Sequence, residues 1–387
     1  MRLINVNTLD IGGDKEPQSK YAILSHRWGD DEVTFDTYPA ARKAIEDHLL
    51  QRSSANILSS IAKVAGACKL CRKLKLDYLW IDTCCIDKRS SREENEAINS
   101  MFNWYEEAEV CLTYMVDVGN AKTFVQSVWF TRGWTLQELL APRKIVFYDQ
   151  AWDEIGTKSS LSEQITAATK ISHQHLENFR PASIATKMSW QAARTTTRTE
   201  DLAYSMFGIF DVGMDIRYGE RHKAFRRLQE VIVNRYPQDE SILAWTSNEP
   251  GPGGVLAPSV HCFRSCAHLI VTGQSSDYRP RAEYRISGRG FEITAPSAKS
   301  SVAVQVLWGH ATGTGSKIEL TLNCWDASKP SNNTVVLMVK KENGGIYQRT
   351  NCQQLEWANN TRRLKDVTAV NVLFGRSTMS FPIVMQL

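Results

Sequence analysis

The chain has 387 residues, of which 42% are hydrophobic and 23% are charged. This balance is ordinary for globular domains and excludes an intrinsically disordered chain, and the length suits two domains. The net charge is only +4, from 46 basic and 42 acidic residues, and no basic stripe alternates with aromatic residues. Such a weak and scattered charge indicates no nucleic-acid partner.

The sequence predicts a cytoplasmic protein. Its first ten residues lack the charged and then apolar layout of a secretion signal. No apolar run approaches the roughly 20 residues that a membrane-spanning helix needs. The nine cysteines are an odd number, scattered along the chain, and free thiols in a reducing compartment are their simplest interpretation.

Short apolar runs alternate with amphipathic stretches over the first 155 residues. Buried strands are predicted at 21–25, 78–82, 110–116 and 145–148. Helices are predicted over 54–74, after a capping box formed by Ser91 and Glu94, and over 129–140. This alternation predicts an α/β fold with a parallel sheet flanked by helices, in which sites form beyond the carboxyl ends of the strands.

The rest of the chain changes texture twice. Residues 155–245 look mostly helical, with a capping box at Ser160 and Glu163 and an apolar stripe from Ala224 to Ile232. A glycine-rich break at 251–254 precedes runs typical of strands, at 284–293, 301–308, 317–325, 334–339 and 370–374. The predicted division is a core at 1–155, a helical extension at 156–246 and a smaller β-rich C-terminal domain at 255–387.

Three long motifs occur in a fixed order along the first half. They are YAILSHRWG at 21–29, LWIDTCCIDK at 79–88 and RGWTLQELL at 132–140, and shorter ones follow at 197–204, 208–212 and 218–220. Together they resemble the HET (heterokaryon incompatibility) family of filamentous fungi, over roughly residues 1–300. The resemblance implies a role in non-self recognition and programmed cell death, and a fold similar to TIR domains.

One local pattern extends this resemblance to an activity. Trp134 and Glu138 form a Trp-x-x-x-Glu pattern, and catalytic TIR domains carry their essential glutamate in a similar one. The resemblance therefore implies cleavage of NAD⁺ between nicotinamide and ribose, with Glu138 as the catalytic residue. Nicotinamide leaves a pyridinium as a neutral molecule, so no general acid is required. A carboxylate can stabilise the oxocarbenium-like transition state. NAD⁺ is then a substrate, and no prosthetic group or metal is expected.

The remaining candidates are polar or aromatic residues at strand ends and near Glu138. The predicted substrate-binding residues are Ser25, His26, Arg27, Trp28, Asp82, Arg132 and Trp134. The two arginines suit phosphates, the serine and the aspartate suit sugar hydroxyls, and the indole of Trp134 suits stacking on nicotinamide.

Structural alternatives stay open for these residues. Glu138 could be a surface acid or pair with Arg132 or Arg143, Trp134 could belong to the core, and Asp82 could cap a turn. His26 could be a hydrogen-bonded structural histidine. Cysteines at 68, 71, 84 and 85 hint at zinc, but one pair lies within a predicted helix and the other at a strand end.

Two classes of function also stay open. The first is an NAD⁺-cleaving effector that kills the cell. The second is a non-enzymatic module that assembles with itself and recruits a downstream executioner. In both cases the chain is expected to self-associate on activation and to have an upstream sensor protein as a partner.

Overall fold

The computed structural model describes residues 1–13, 20–52, 58–119, 121–248, 254–271, 283–287, 290–294, 317–328, 333–341, 347–350, 352–359 and 383–385. Contacts divide the chain into two compact units. The first comprises Met1–Asn178, Arg194–Thr197 and Tyr204–Ile216; the second comprises Phe179–Ala193, Arg198–Ala203 and Arg217–Leu387. The three-part division drawn from the sequence stays a prediction. In the described ranges, no helix combines the length and the apolar character needed to cross a membrane.

The first unit is built around a seven-stranded sheet. Its strands are β1 (Leu3–Asn5), β2 (Ile11–Gly12), β3 (Tyr21–His26), β4 (Tyr78–Trp80), β5 (Val110–Tyr114), β6 (Ile145–Tyr148) and β7 (Glu154–Thr157). Their order across the sheet is β2-β1-β4-β3-β5-β6-β7. Strand β3 is buried at every position, as expected for a central strand covered on both faces.

The sheet is mixed, which corrects the expectation of a parallel one. The four central strands, β4, β3, β5 and β6, run parallel to one another. The edge strands β1, β2 and β7 run antiparallel to their neighbours. Connection length explains the antiparallel pairs β1–β2 and β6–β7, because only a few residues join each pair, whereas a parallel pair needs a crossover of a dozen or more. The broader expectation, an α/β sheet flanked by helices, is confirmed.

Helices connect and flank these strands. They are α1 (Tyr38–Leu49), α2 (Ser59–Lys73), α3 (Asp82–Cys85), α4 (Ser91–Glu107), α5 (Thr135–Leu140), α6 (Ser162–Thr169) and α7 (His173–Glu177). Short 3-10 helices cover Ala121–Gln126 and Val128–Thr131. Helix α4 buries one face, formed by Ala97, Ile98, Met101, Phe102 and Tyr105, as its periodicity predicts.

Both predicted capping boxes were wrong. The cap of α4 is Ser90, whose extended backbone lets its hydroxyl accept a hydrogen bond from the Glu93 amide, while Ser91 is already helical. Helix α6 begins at Ser162 without a side-chain cap. The Ser160 hydroxyl instead accepts a hydrogen bond from the Thr157 amide, in the turn that precedes the helix.

Two predicted elements near the carboxyl edge are shorter than expected. The strand predicted to reach Asp82 ends at Trp80, and Asp82 opens α3. The helix predicted over 129–140 is broken between Thr131 and Thr135, because the Gly133 amide bonds to the Thr195 carbonyl rather than to the preceding turn. Helix α2 covers the described part of the stretch predicted at 54–74.

The second unit contains helices and a second sheet. Its helices are α8 (Ile184–Gln191), most of α9 (Asp201–Tyr204) and α10 (Lys223–Arg235), with 3-10 turns at Glu240–Leu243 and Val260–Phe263. Its strands are β8 (Leu269–Val271), β9 (Glu283–Ser287), β10 (Gly290–Thr294), β11 (Lys317–Asp326), β12 (Asn333–Lys341), β13 (Tyr347–Thr350), β14 (Glu356–Asn359) and β15 (Ile383–Met385).

These elements confirm much of the pattern predicted for the second half. The stripe from Ala224 to Ile232 lies on α10 and is buried. The run at 284–293 forms the β9–β10 hairpin, and the runs at 317–325 and 334–339 form β11 and β12, which pair antiparallel. The strands predicted at 301–308 and 370–374 lie outside the described residues.

Candidate functional site

The parallel part of the first sheet has a topological switch point between β3 and β5. The chain passes from β3 to β4 on one side and then crosses to β5 on the other. In open α/β sheets, ligands bind beyond the carboxyl ends of the strands that flank such a point. Ser25 and His26 end β3 there, opposite Thr113 and Tyr114 of β5.

Glu138 reaches this edge from helix α5. Its side chain is buried, with 7% of its surface exposed. Its Oε2 accepts a hydrogen bond of 2.5 Å from the Ser25 hydroxyl, and Ser25 Oγ accepts one of 2.9 Å from the Trp129 indole nitrogen. The alternative of Glu138 as a surface acid is therefore wrong.

The environment of Glu138 favours its neutral form. Burial raises the pKa of the carboxyl group to about 8, since it removes the water that stabilises the charge. The Ser25 hydrogen bond and the charge of buried Arg194 act in the opposite direction, and the charge of Asp82 raises the pKa further. At neutral pH most Glu138 side chains carry a proton.

Arg194 is held at the base of α5. Its Nη1 donates hydrogen bonds of 2.8 Å to the Arg132 carbonyl and to the Thr135 hydroxyl. Burial lowers the pKa of this guanidinium to about 9, partly offset by the charge of Glu138. The two hydrogen bonds of Arg194 thus hold the start of α5 against the chain segment around residue 194. They also place a positive charge near Glu138.

Asp82 has a different environment at the start of α3. Its Oδ1 lies 3.0 Å from His26 Nε2 and accepts a 2.8 Å hydrogen bond from the Thr83 amide. Its Oδ2 accepts one of 2.8 Å from the Trp28 indole nitrogen. Burial acts to raise the pKa of Asp82, but the His26 hydrogen bond and the charges of His26 and Lys88 lower it below its ordinary value. Asp82 is therefore ionised at neutral pH.

His26 lies between two acidic side chains. Its Nε2 contacts Asp82, while its Nδ1 is 4.0 Å from Glu32 Oε1. Within the described part of the chain, Nδ1 has no hydrogen-bond partner. Glu32 Oε1 in turn accepts hydrogen bonds from the Lys63 ammonium at 2.5 Å and from the Gly29 amide at 2.6 Å. His26 and its neighbours thus join β3 to the loop that follows it.

The outer border of the site is aromatic and basic. Trp28 is 44% exposed, and the Lys88 ammonium lies 3.3 Å from its ring centroid. A cation at this distance is attracted by the ring face. Arg27 is exposed and has no hydrogen bond or ion pair with any residue that the structure describes.

The structure brings five of the eight predicted site residues into two hydrogen-bonded groups at this edge. Ser25 bonds to Glu138, and Asp82 bonds to His26 and Trp28. Arg132 and Trp134 are half-buried, and their side chains make no hydrogen bond to either group among the described contacts. The roles assigned to all eight residues stay predictions.

Sequence reasoning missed several residues that surround the two carboxyl groups. These are Trp129, Arg194, Glu32, Lys63 and Lys88. Trp129 and Lys88 lie in or beside the recognised motifs, so a test of every polar or aromatic residue there could have found them. Arg194 has no such signal, because its partners lie about 60 positions earlier in the chain.

The cysteine pairs considered for zinc are buried thiols. Burial raises the pKa of Cys68 to about 12 and that of Cys84 well above its usual range, so neither is a thiolate at neutral pH. Over the ranges that the structure describes, no cluster of histidine, cysteine or acidic residues could hold a metal ion.

Comparisons with known proteins find similarity over part of the chain. Residues 21–124 match the family model for heterokaryon incompatibility protein (HET), and residues 223–268 match a domain of unknown function (DUF8212). The HET match includes Ser25, His26 and Asp82 and ends before Glu138. No solved structure matches.

A curated relative extends the similarity. The chain is 40% identical over 240 residues to the vegetative incompatibility protein HET-E-1 of Podospora anserina. The aligned region covers 58% of this chain. The match spans 17% of the length of that relative. Over residues 21–124 the chain is therefore similar to the HET family.

Proposed function

We propose that this chain acts in vegetative incompatibility as a cell-death effector, and that it cleaves NAD⁺ at the nicotinamide–ribose bond with Glu138 as the catalytic residue. The observation that supports the proposal best is the buried Glu138 carboxyl group, hydrogen-bonded to Ser25 at the switch point of the sheet. Carboxyl groups with strongly perturbed pKa values concentrate at functional sites.

The proposed reaction needs negative charge near the ribose. The bond from the ribose C1′ to the pyridinium nitrogen breaks, and its electron pair leaves with neutral nicotinamide. The ribose is left with oxocarbenium character, which an ionised Glu138 stabilises. Water then adds to C1′ and releases a proton. Asp82, which is already ionised, adds a second negative charge at the same edge.

Burial of Glu138 gives the resting protein low activity. At neutral pH the group is mostly protonated and has little access to solvent. Activation must therefore expose the carboxyl end of β3 around Ser25 or change the environment of Glu138. Self-association is the proposed trigger, because a second copy could stabilise the open form.

Nicotinamide release from NAD⁺ tests the proposal. The parent protein and a Glu138→Gln variant, which keeps the size of the side chain, are compared at high concentration and after forced clustering. Circular dichroism confirms that both are folded. Release by the clustered parent and none by the variant supports the proposal. Equal release by both rejects Glu138 as the catalytic residue, and no release by either rejects the activity.

A non-enzymatic assembly module is the second candidate. The observation that favours it is the burial of Glu138 to 7% exposure, since a catalytic carboxyl group must reach its substrate. Cell death triggered by forced clustering distinguishes the two candidates. Killing that persists in the folded Glu138→Gln variant favours assembly, whereas killing that is lost with nicotinamide release favours the enzyme.

A further inference from the structure

We propose that Trp129 and Ser25 form a one-way hydrogen-bond chain that positions the Glu138 carboxyl group. Both are then positioning residues, and neither has a role in the reaction of its own. The catalytic meaning of the chain rests on the proposed function, but the chain itself rests on two contacts. These are Trp129 Nε1 to Ser25 Oγ at 2.9 Å and Ser25 Oγ to Glu138 Oε2 at 2.5 Å.

An indole donor and an ionised carboxylate acceptor give the chain its direction. An indole nitrogen can only donate, so Ser25 Oγ must accept from Trp129. A hydroxyl group has one proton, and that of Ser25 is directed to Glu138. Oε2 of Glu138 therefore accepts from Ser25 when the carboxyl group is ionised. In this arrangement Ser25 has no proton left for a sugar hydroxyl.

Packing holds the chain in place. Trp129 is 1% exposed, and its ring meets Phe130 and Phe147 edge to face, at centroid distances of 5.1 and 5.8 Å. Ser25 is fully buried on the central strand β3. Edge-to-face packing fixes the plane of the indole, so its N–H cannot turn to another acceptor. Positioning by a fixed donor behind the reacting group is typical of well-ordered sites.

The chain also opposes the effect of burial on Glu138. A hydrogen bond to the ionised form of a carboxyl group favours that form. The Ser25 bond lowers the pKa of Glu138, which burial raises to about 8. No water can replace the bond, because Ser25 and Trp129 are both buried. Loss of the Ser25 hydroxyl must therefore move the titration of Glu138 to higher pH.

Infrared titration of the carboxyl group tests this directly, with or without enzymatic activity. Protein labelled with ¹³C at the glutamate carboxyl carbon is titrated, and subtraction of the Glu138→Gln spectrum isolates the band of Glu138. Ser25→Ala is expected to titrate at higher pH than the parent. Trp129→Phe should shift in the same direction by less, and Ser25→Thr, which keeps the hydroxyl, should remain near the parent.

Two results would overturn the proposed hydrogen-bond chain. A Ser25→Ala protein with native circular dichroism and an unchanged Glu138 titration rules it out. Should Ser25→Ala not fold, the smaller shift expected of Trp129→Phe remains the test, and an unchanged titration there also rules the chain out.

Nicotinamide release adds a readout that a merely structural role would not move. At pH 7, Ser25→Ala should release nicotinamide about ten-fold more slowly, because fewer Glu138 side chains are ionised. The gap should narrow as the pH rises above the titration of Glu138. An equal loss at every pH overturns the positioning role. No release by the parent rejects the proposed function alone, since the infrared titration still tests the chain.

Discussion

Two carboxyl groups at the same edge of the sheet have opposite ionisation. Glu138 has only neutral hydroxyls as hydrogen-bond donors, those of Ser25 and Tyr105, and burial raises its pKa to about 8. Asp82 has an imidazole, an indole and a backbone amide as donors, with Lys88 nearby, and its pKa is lowered although burial acts on it too. The number and charge of the donors decide which carboxyl group keeps its proton.

Such a pair suits acid–base work or the stabilisation of a cation. Where two carboxyl groups have pKa values driven apart by their surroundings, one can hold a proton while the other holds a charge. In the proposed reaction, Asp82 would attract the pyridinium of the substrate at once, and Glu138 would contribute only after it is ionised. The site has a dry side, formed by the buried Glu138, Ser25, Trp129 and Arg194, and a more exposed side around Asp82 and Trp28. The two sides should therefore respond differently to mutation and to pH.

The largest effect is expected on the dry side, at Arg194. Arg194→Met should lower the free energy of unfolding by about 2–5 kcal/mol, because it removes two buried hydrogen bonds, to the Arg132 carbonyl and the Thr135 hydroxyl, at the start of α5. Urea unfolding measures the loss. Arg143→Met, at an exposed arginine in the same region, is the matched control and should change stability by less than about 0.5 kcal/mol. Similar losses in both would show that Arg194 has no special role.

The next effect is a pH dependence of stability that comes from Glu138. Because its pKa is raised from 4.5 to about 8 on folding, the folded state binds this proton more tightly than the unfolded state. Stability is therefore full below pH 4.5 and falls as the pH rises towards 8, by at most about 1.4 kcal/mol per pH unit. Glu138→Gln has no proton to lose.

Urea unfolding at several pH values measures this dependence. The stability of Glu138→Gln relative to the parent should rise across that window and level off above it. Glu163→Gln, at an exposed acid on α6, is the control and should run parallel to the parent. A Glu138→Gln curve that also runs parallel to the parent would place Glu138 in a wetter environment than the structure does.

The contribution of Asp82 to stability should depend on pH in the opposite direction. Asp82→Asn should cost about 1–3 kcal/mol at neutral pH, because an amide cannot accept from both His26 and Trp28. The pKa of Asp82 is lowered on folding, so its contribution is present above 3.8 and is lost as the pH falls through the folded value. The measured gap between parent and variant should close in acid. A gap that stays constant down to low pH would mean that the loss is one of packing alone.

Sequence reasoning reached the exposed side of the site more easily than the dry side. Ser25, His26 and Asp82 could be predicted because each follows a continuous apolar run, and the carboxyl ends of parallel strands meet at one edge. The chain from Trp129 to Ser25 could not, since it joins residues 104 positions apart and no periodic pattern encodes it.

The fold was predictable to a similar degree. Strands β3, β5 and β6 and helices α4 and α10 have clear apolar runs or stripes, and the prediction found them. The edge strands β1 and β7 are three and four residues long, too short for a periodic signal. Two adjacent serines before α4 could each be a cap, and only the extended backbone at Ser90 decides between them.

The smallest effect is expected at Trp28, which forms a matched pair with Trp129. Trp129 and Trp28 each donate one indole hydrogen bond towards a carboxyl group, the first through Ser25 and the second directly to Asp82. Trp28→Phe should cost less than about 1 kcal/mol, because Asp82 keeps its other donors and water can reach its side chain, which is 18% exposed. Trp129→Phe should cost about 1–3 kcal/mol, because Ser25 is fully buried and no water can take the place of the indole. Urea unfolding of both variants compares the loss of a donor that water can replace with the loss of one that water cannot replace. Equal costs would mean that the two sides of the site differ less in hydration than their exposed fractions indicate.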